Sequence, residues 1–410
     1  MTAVTDLIDL GPAVSVALIG ALVACLPMAV VAWRRLSGRS GQAAPGDSDW
    51  QRALTLATLF LTLDLVVFGA FTRLTDSGLG CPDWPGCYGS TSPVGAHGSI
   101  AEAQAALPHG PVTHTKAWIE MLHRYLATGV GAMITVLMGL AWWQRWRSGR
   151  TQRLSPWWPT LTFVWVCAQG AFGALTVTLK LYPLVVTGHL IGGLLGVALL
   201  TAQVRAMTPA ANFGAASGGL WSRPVPPTLR RAAGVGLLVW WCQVALGGWV
   251  STNAAVLACA DFPTCHGQWW PEMDFSQGFT LMRGLGQGST GEAISLQALM
   301  AIHMVHRLGA VLVSLVMGWL IWQAWRSNDA AGAGRLEARA LLALWLWQLA
   351  SGLSNVVLGW PLAAALAHTL GAALTVAWLT RMVVAPATGS VVTSPAAQAA
   401  SGGATARWAW

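Results

Sequence analysis

Residues 117–143 read AWIEMLHRYLATGVGAMITVLMGLAWW, and residues 297–325 read QALMAIHMVHRLGAVLVSLVMGWLIWQAW. Each run exceeds the roughly 20 apolar residues that a helix needs to cross a bilayer core. Each also carries a His-Arg pair near one end, His123-Arg124 and His306-Arg307, where hydrocarbon tolerates neither residue cheaply. Seven further runs, 11–33, 53–72, 156–179, 183–204, 232–251, 340–359 and 361–380, lack a charge over most of their length. The tightest turns between runs are Lys180-Leu181-Tyr182 and Gly359-Trp360-Pro361. A membrane β-barrel would need short alternating segments. These long, uniformly apolar runs predict nine helices and an all-α polytopic membrane protein.

Composition excludes the other classes. Of 410 residues, 55% are hydrophobic and 9% charged, against about 25% charged in soluble domains. So few charges cannot cover a water-soluble surface. The net charge of +8 does not point to nucleic acid, because no basic cluster with interleaved aromatics accompanies it. The basic residues sort by side instead. Arg34, Arg35, Arg39 and Arg52 follow the first run; Arg145, Arg147, Arg150 and Arg153 the third. Arg205, Arg223, Arg230 and Arg231 follow the fifth; Arg326, Arg335 and Arg339 the seventh; Arg381 and Arg407 the last. Positive charge gathers on the cytoplasmic side, which places the C-terminus inside and the N-terminus outside. The first run has no Lys or Arg before it, so it is expected to be a retained span and not a cleaved signal. The 25 Trp, among them Trp142, Trp143, Trp146, Trp157 and Trp158, suit interfacial belts. The Ala/Ser/Gly/Thr-rich tail 385–410 is expected to be disordered.

The chain repeats itself. Cys81-Pro-Asp-Trp-Pro-Gly-Cys87 answers Cys259-Ala-Asp-Phe-Pro-Thr-Cys265, and Gly69-Ala-Phe71 answers Gly247-Gly-Trp249. Further on, His123-Arg124 answers His306-Arg307, Gln169 and Gly173 answer Gln348 and Gly352, and His189 answers His368. Unlike residue types recurring in one order mark a duplicated unit. The expected units are an extra span with its loop over 1–52, a four-helix bundle over 53–206, a linker over 207–231 and a second bundle over 232–384.

Four His lie in apolar spans at matched positions: His123, His189, His306 and His368. One such His is most simply a hydrogen-bonding partner of a neighbouring helix. Four, two per unit and about six residues inside the outer ends, with His306 slightly deeper, suit two imidazoles facing each other at one level. That is the arrangement for bis-imidazole ligation of haem iron within a four-helix bundle. Zinc, which favours closely placed Cys and His ligands, suits them less. Glu120 stands one turn before His123, whereas the second unit has His303 there. This asymmetry suggests one working and one auxiliary site; the bland alternative is that Glu120 pairs with Arg124 or caps the helix. Arg124 and Arg307 either snorkel outward or bind haem propionates. Asp64 is either a proton-path residue or a structural group. The cysteines permit local disulfides Cys81–Cys87 and Cys259–Cys265, as staples or redox groups; Cys25, Cys167 and Cys242 read as small apolar residues.

The run Thr72-Arg-Leu-Thr-Asp-Ser-Gly-Leu-Gly-Cys-Pro-Asp-Trp-Pro-Gly-Cys87, with Glu120-x-x-His-Arg124, His189, His306-Arg307 and His368, resembles the haem A synthases of cytochrome oxidase assembly, over about residues 53–381. The resemblance implies two pseudo-symmetric four-helix bundles and oxidation of the haem O C8 methyl to a formyl group by successive hydroxylations. It implies haem b as cofactor on His306 and His368, with Arg307 beside it. It implies haem O as substrate on His123 and His189, with Arg124 beside it, Glu120 as the essential glutamate, and the four loop cysteines as disulfides. It also implies a bacterial inner membrane and partners among haem O synthase, terminal oxidase assembly factors and an electron donor the sequence does not name. No nucleic acid is expected, and a homo-oligomer is left open. Two features depart from the pattern: the extra span 11–33, and the missing Arg-Leu-Thr-x-Ser-Gly run in the second loop. A di-haem electron carrier is the competing reading; it leaves the Glu120/His303 difference unexplained. A parallel-repeat transporter would place its polar residues at mid-membrane, whereas these lie near the outer face.

Overall fold

The computed structural model describes residues 11–36, 47–148, 154–209, 219–288, 291–327 and 333–386. The amino-terminal flank, the tail beyond residue 386, and Arg39, Arg150, Arg153 and Arg407 lie outside them. The helices are α1 Gly11–Leu36, α2 Asp47–Leu74, α3 His97–Ala106, α4 His114–Ser148, α5 Trp157–Thr178, α6 Pro183–Met207, α7 Pro227–Thr252, α8 Phe275–Gly278, α9 Leu296–Arg326, α10 Ala333–Val357 and α11 Leu362–Val383. All but α3 and α8 are long and apolar enough to cross a membrane. The protein is a multi-pass membrane protein. Among the described residues there are no strands, only three isolated bridges in the loops.

The ends follow local chemistry. Pro183 and Pro227 open α6 and α7, where a missing N–H leaves no helical partner wanting. Ser295 caps α9 by accepting from Ala298 N at 3.1 Å. The two short corners expected from the sequence are present: Lys180 and Leu181 between α5 and α6, and Gly359 and Trp360 between α10 and α11, all with positive φ. Several helices outrun their apolar stretch, so Arg52, Arg145, Arg147, Arg230 and Arg231 sit on helical turns and not in loops. The linker ends at Pro226, five residues before the expected boundary.

The spans pack as two rings. In the first, α2 touches α4, α4 touches α5, α5 touches α6, and α6 returns to α2. In the second, α7, α9, α10 and α11 close in the same order. Within each ring the His-bearing helices, α4 with α6 and α9 with α11, make no contact: they occupy opposite corners. The rings meet where α11 packs on α2 and α6, and where α6 packs on α7. α1 stands outside both and lies along α4. Close approach there depends on small residues. A side chain at Gly20 would stand 2.5 Å from Thr128 Cβ, and one at Gly129 would stand 3.1 Å from Val23.

Charge locks the end opposite the cysteine loops. Arg205, fully buried, donates to the carbonyls of Trp221, Arg223 and Val384. Arg381 pairs with Glu337, both side chains 2% exposed, and Trp378 Nε1 donates to the same carboxylate at 2.8 Å. Removing one partner of such a pair strands a buried charge, which costs about 3–5 kcal/mol. Glu337→Ala should therefore lower Tm markedly in detergent, and combining Glu337→Met with Arg381→Met should recover most of the loss, as read by thermal unfolding.

Candidate functional site

The outer loops are built alike. Cys81 bonds Cys87 and Cys259 bonds Cys265. Each loop holds a cis aromatic–Pro peptide, Trp84–Pro85 or Phe262–Pro263, and turns through positive φ at Tyr88–Gly89 or His266–Gly267. The Asp of each Cys motif ties the turn. Asp83 accepts from Tyr88 N at 2.6 Å and Gly89 N at 2.8 Å. Asp261 accepts from His266 N at 2.7 Å and Gly267 N at 3.0 Å, and also from Thr264 Oγ1 at 2.6 Å.

The intramembrane arginines reach up into these loops. Arg124 donates to the carbonyls of Asp83 (2.9 Å), Pro85 and Gly86, and pairs with Glu120 at 2.5 Å. Arg307 donates to the carbonyls of Asp261 and Thr264, both at 2.8 Å, and of Cys259 at 3.0 Å. Neither guanidinium snorkels free, and a haem propionate would have to share it with the loop. Glu120 is buried with both oxygens engaged: Oε1 by Arg124, Oε2 by Cys81 N–H at 2.8 Å. The carboxylate therefore joins α4 to the disulfide of its own half. At the matching position His303 lies 3.3 Å from Arg307 Nε.

Each of the four imidazoles rests on a glycine of the adjacent helix. A side chain at Gly69 would meet His123 Cε1 at 3.0 Å; at Gly173, His189 Cε1 at 3.4 Å. In the second ring, Gly247 faces His306 Cε1 at 3.2 Å and Gly352 faces His368 Cε1 at 3.1 Å. The repeated glycines are thus ring seats that any larger residue would fill. His123 and His189 lie within electrostatic reach of each other, as do His306 and His368. His189 and His368 follow the first residue of their helices by six positions, about 9 Å. His123 and His306 follow theirs by nine and ten, because α4 and α9 begin further out to carry the loops. The donor set is two imidazoles per ring on opposite helices, with a buried His123 Nδ1 that no protein group satisfies. It fits a planar macrocycle whose central metal takes two axial nitrogens. Among the described residues no cluster of three or more His, Cys, Asp or Glu suits a free ion.

Neighbouring side chains complete the site, Gln243, Ser351 and Phe68 among them unnoticed in the sequence. Gln243 Nε2 donates to His306 O at 3.1 Å and lies 3.1 Å from His306 Nδ1. Ser351 Oγ lies 3.0 Å from His368 Nδ1. Gln169 Nε2 lies 3.1 Å from His189 Nδ1, and Phe68 stacks on His123 with centroids 6.2 Å apart. Gln243 and Ser351 have Leu65 and Phe172 at the repeat-related positions, so no repeated pair flagged them. Asp64 and the unpaired Cys25, Cys167 and Cys242 are exposed. A cleft of about 600 Å³ opens at the inner end beside Pro226, Arg231, Trp319 and Arg326, with no His in its wall.

The three donors on Asp261, Thr264 foremost, hold its carboxyl well below the usual carboxylate range. A depressed folded pKa contributes stability above the unfolded value near 4, lost as pH falls through the folded one. The rate at which a water-soluble phosphine reduces Cys259–Cys265 should therefore stay flat from neutral pH to about 4 and rise below it. Asp261→Asn should raise that rate already at neutral pH, counted by mass shift after thiol alkylation.

Comparison with known proteins agrees with this architecture. The sequence profile described as "Cytochrome oxidase assembly protein" matches residues 52–380. The chain is 34% identical to the protein named Heme A synthase of Shewanella oneidensis over 317 residues, covering 77% of this chain and 91% of that one. It is 27% identical to the Heme A synthase of Rhizorhabdus wittichii, covering 79% and 90%. It is also 27% identical to that of Halalkalibacterium halodurans, covering 77% and 90%. α1 precedes the matched segment, and both imidazole pairs fall inside it. The chain belongs to the cytochrome oxidase assembly protein family.

Proposed function

We propose that this protein is a haem A synthase: a membrane oxidoreductase that converts the C8 methyl of haem O to a formyl group by successive hydroxylations, supplying haem A for terminal oxidase assembly. The observation that carries the reading is the duplicated ring, with two glycine-seated imidazoles on opposite helices in each copy. In this reading the first bundle, 53–206, receives haem O on His123 and His189, and the second, 232–384, holds haem b on His306 and His368. The extra helix and loop, 1–52, and the linker, 207–231, frame them. The side bearing the disulfide loops is periplasmic, as the inner clustering of arginine implies.

Haem O carries a long isoprenoid tail, so a site reached from within the bilayer suits it. Haem b, when bound, supplies one-electron redox chemistry. The protein's own groups do the rest. The imidazoles set the substrate's plane and depth. Glycine seats let each ring lie against its neighbouring helix, where a side chain would displace it. Glu120 is the only carboxylate one turn from an imidazole of the first site, and His303 takes that place in the second. Doubly hydrogen-bonded, Glu120 is an acceptor. It can take a proton from the reacting carbon's side, or stabilise positive charge there, by loosening from Cys81 N–H or Arg124. The electron donor, haem O synthase and the receiving assembly factors belong to this proposal as partners, and the chain's oligomeric state is not part of it.

Glu120→Ala should leave the haem b spectrum of purified protein intact while haem A in extracted membranes falls sharply and haem O accumulates, measured by mass spectrometry. Wild-type haem A levels in that variant would remove Glu120 from the chemistry. His306→Ala should abolish the bound haem spectrum; an unchanged spectrum would overturn the ligand assignment.

A further inference from the structure

The four imidazoles differ in what meets Nδ1. Ser351 Oγ lies 2.7 Å from Trp347 O, 3.4 Å from Gln348 O and 3.0 Å from His368 Nδ1. A hydroxyl has one hydrogen. Both carbonyls can only accept, and the 2.7 Å contact is the usual back-bond of a helical serine to the residue four before it. With its hydrogen there, Ser351 offers His368 only a lone pair, so Nδ1 carries the imidazole hydrogen and donates it. That is the tautomer in which Nε2 presents a lone pair to a metal.

The other three rings lack this arrangement. Gln169 Nε2 donates to His189 O at 2.6 Å, which fixes the amide with its nitrogen, a donor, toward His189 Nδ1. Gln243 does the same at His306. His123 Nδ1 is buried with no partner. At the position of Ser351 the first unit has Phe172, whose ring packs instead beside Gly188. Of the eight helices that form the two rings, only α10 supplies a hydroxyl acceptor to an intramembrane imidazole among the described residues.

We propose that Ser351 is a positioning residue for the retained haem: it sets the His368 tautomer and strengthens that ligand, and its replacement by Phe172 leaves the first site with ligands from which haem is more readily exchanged. The difference matches what each site must do, since a cofactor stays and a product must leave. The proposal rests on His306 and His368 being the ligands of a resident haem.

The test uses full-length protein purified in detergent with its haem. Ser351→Thr and Ser351→Val have the same shape and differ in the hydroxyl. Transfer of haem to excess apomyoglobin should be about 10–100-fold faster in Ser351→Val than in Ser351→Thr, the usual effect of removing a ligand's hydrogen-bond partner. The haem midpoint potential should rise in Ser351→Val alone, because an imidazole that donates less strongly stabilises ferric iron less. Phe172→Ser should slow release of haem added to the first site. Equal transfer rates and equal potentials in the Thr and Val variants would overturn the role of Ser351. His368→Ala separates the two ideas. If it keeps the native haem spectrum, the ligand reading fails; if it loses the spectrum while Thr and Val behave alike, only the positioning role fails.

Discussion

A guanidinium inside a membrane must find oxygen, and the nearest oxygen here is the backbone of the outer loops. Arg124 and Arg307 each gather several loop carbonyls, and that demand sets the rotation of α4 and α9. Successive residues on a helix differ by about 100°. Once the arginine is turned toward its loop, the preceding histidine has one heading left. The same bonds hold the disulfide turns against the bundle, because an Asp carboxylate shapes each turn from within. Loop, arginine and imidazole form one mechanical unit, present twice. A perturbation of the loop therefore reaches the imidazole through a single residue.

Duplication supplies two frames, and the halves diverge around their imidazoles. The carboxylate of Glu120 is tied to the backbone of Cys81, whereas His303 takes its place across the repeat. Leu65 and Phe172 stand where Gln243 and Ser351 hold the imidazoles of the other half. Packing tolerates these exchanges because contacts between the rings, such as Thr187 with Thr252 at 3.1 Å, lie elsewhere. An old scaffold constraint and a local chemical difference coexist without strain on each other.

The fold was legible because hydrocarbon imposes a simple rule: every apolar run of sufficient length became a helix, and the short corners at Lys180 and Gly359 followed from runs too close together for a longer loop. The matched placement of the four imidazoles was legible because ionisable groups in such runs stand out and recur in one order. What stayed hidden was directional. Nothing in the spacing says that Arg124 turns to carbonyls, or that Gly69 and Gly247 seat a ring; a glycine's use is defined by what approaches it. α3 and α8 were missed because short polar-flanked helices leave no membrane signature. Gln243 and Ser351 escaped because repeat matching finds likeness, and these positions differ between the halves. Arg205 was read as a loop charge, yet it is buried among linker carbonyls.

α1 sheathes α4 from the disulfide loop inward, with Val16 and Ile19 against the Cys81–Cys87 cluster and Ala24 deeper down. Its far side shows lipid a stripe of Val14, Leu18, Leu22, Leu26 and Val30. Among the described residues the equivalent face of α9 has no such cover, and Leu308, Val311, Leu312 and Leu315 are exposed. The two halves consequently present unequal shorelines to anything drifting in the plane of the bilayer. Among the described residues the α4 flank is a closed quay and the α9 flank an open one.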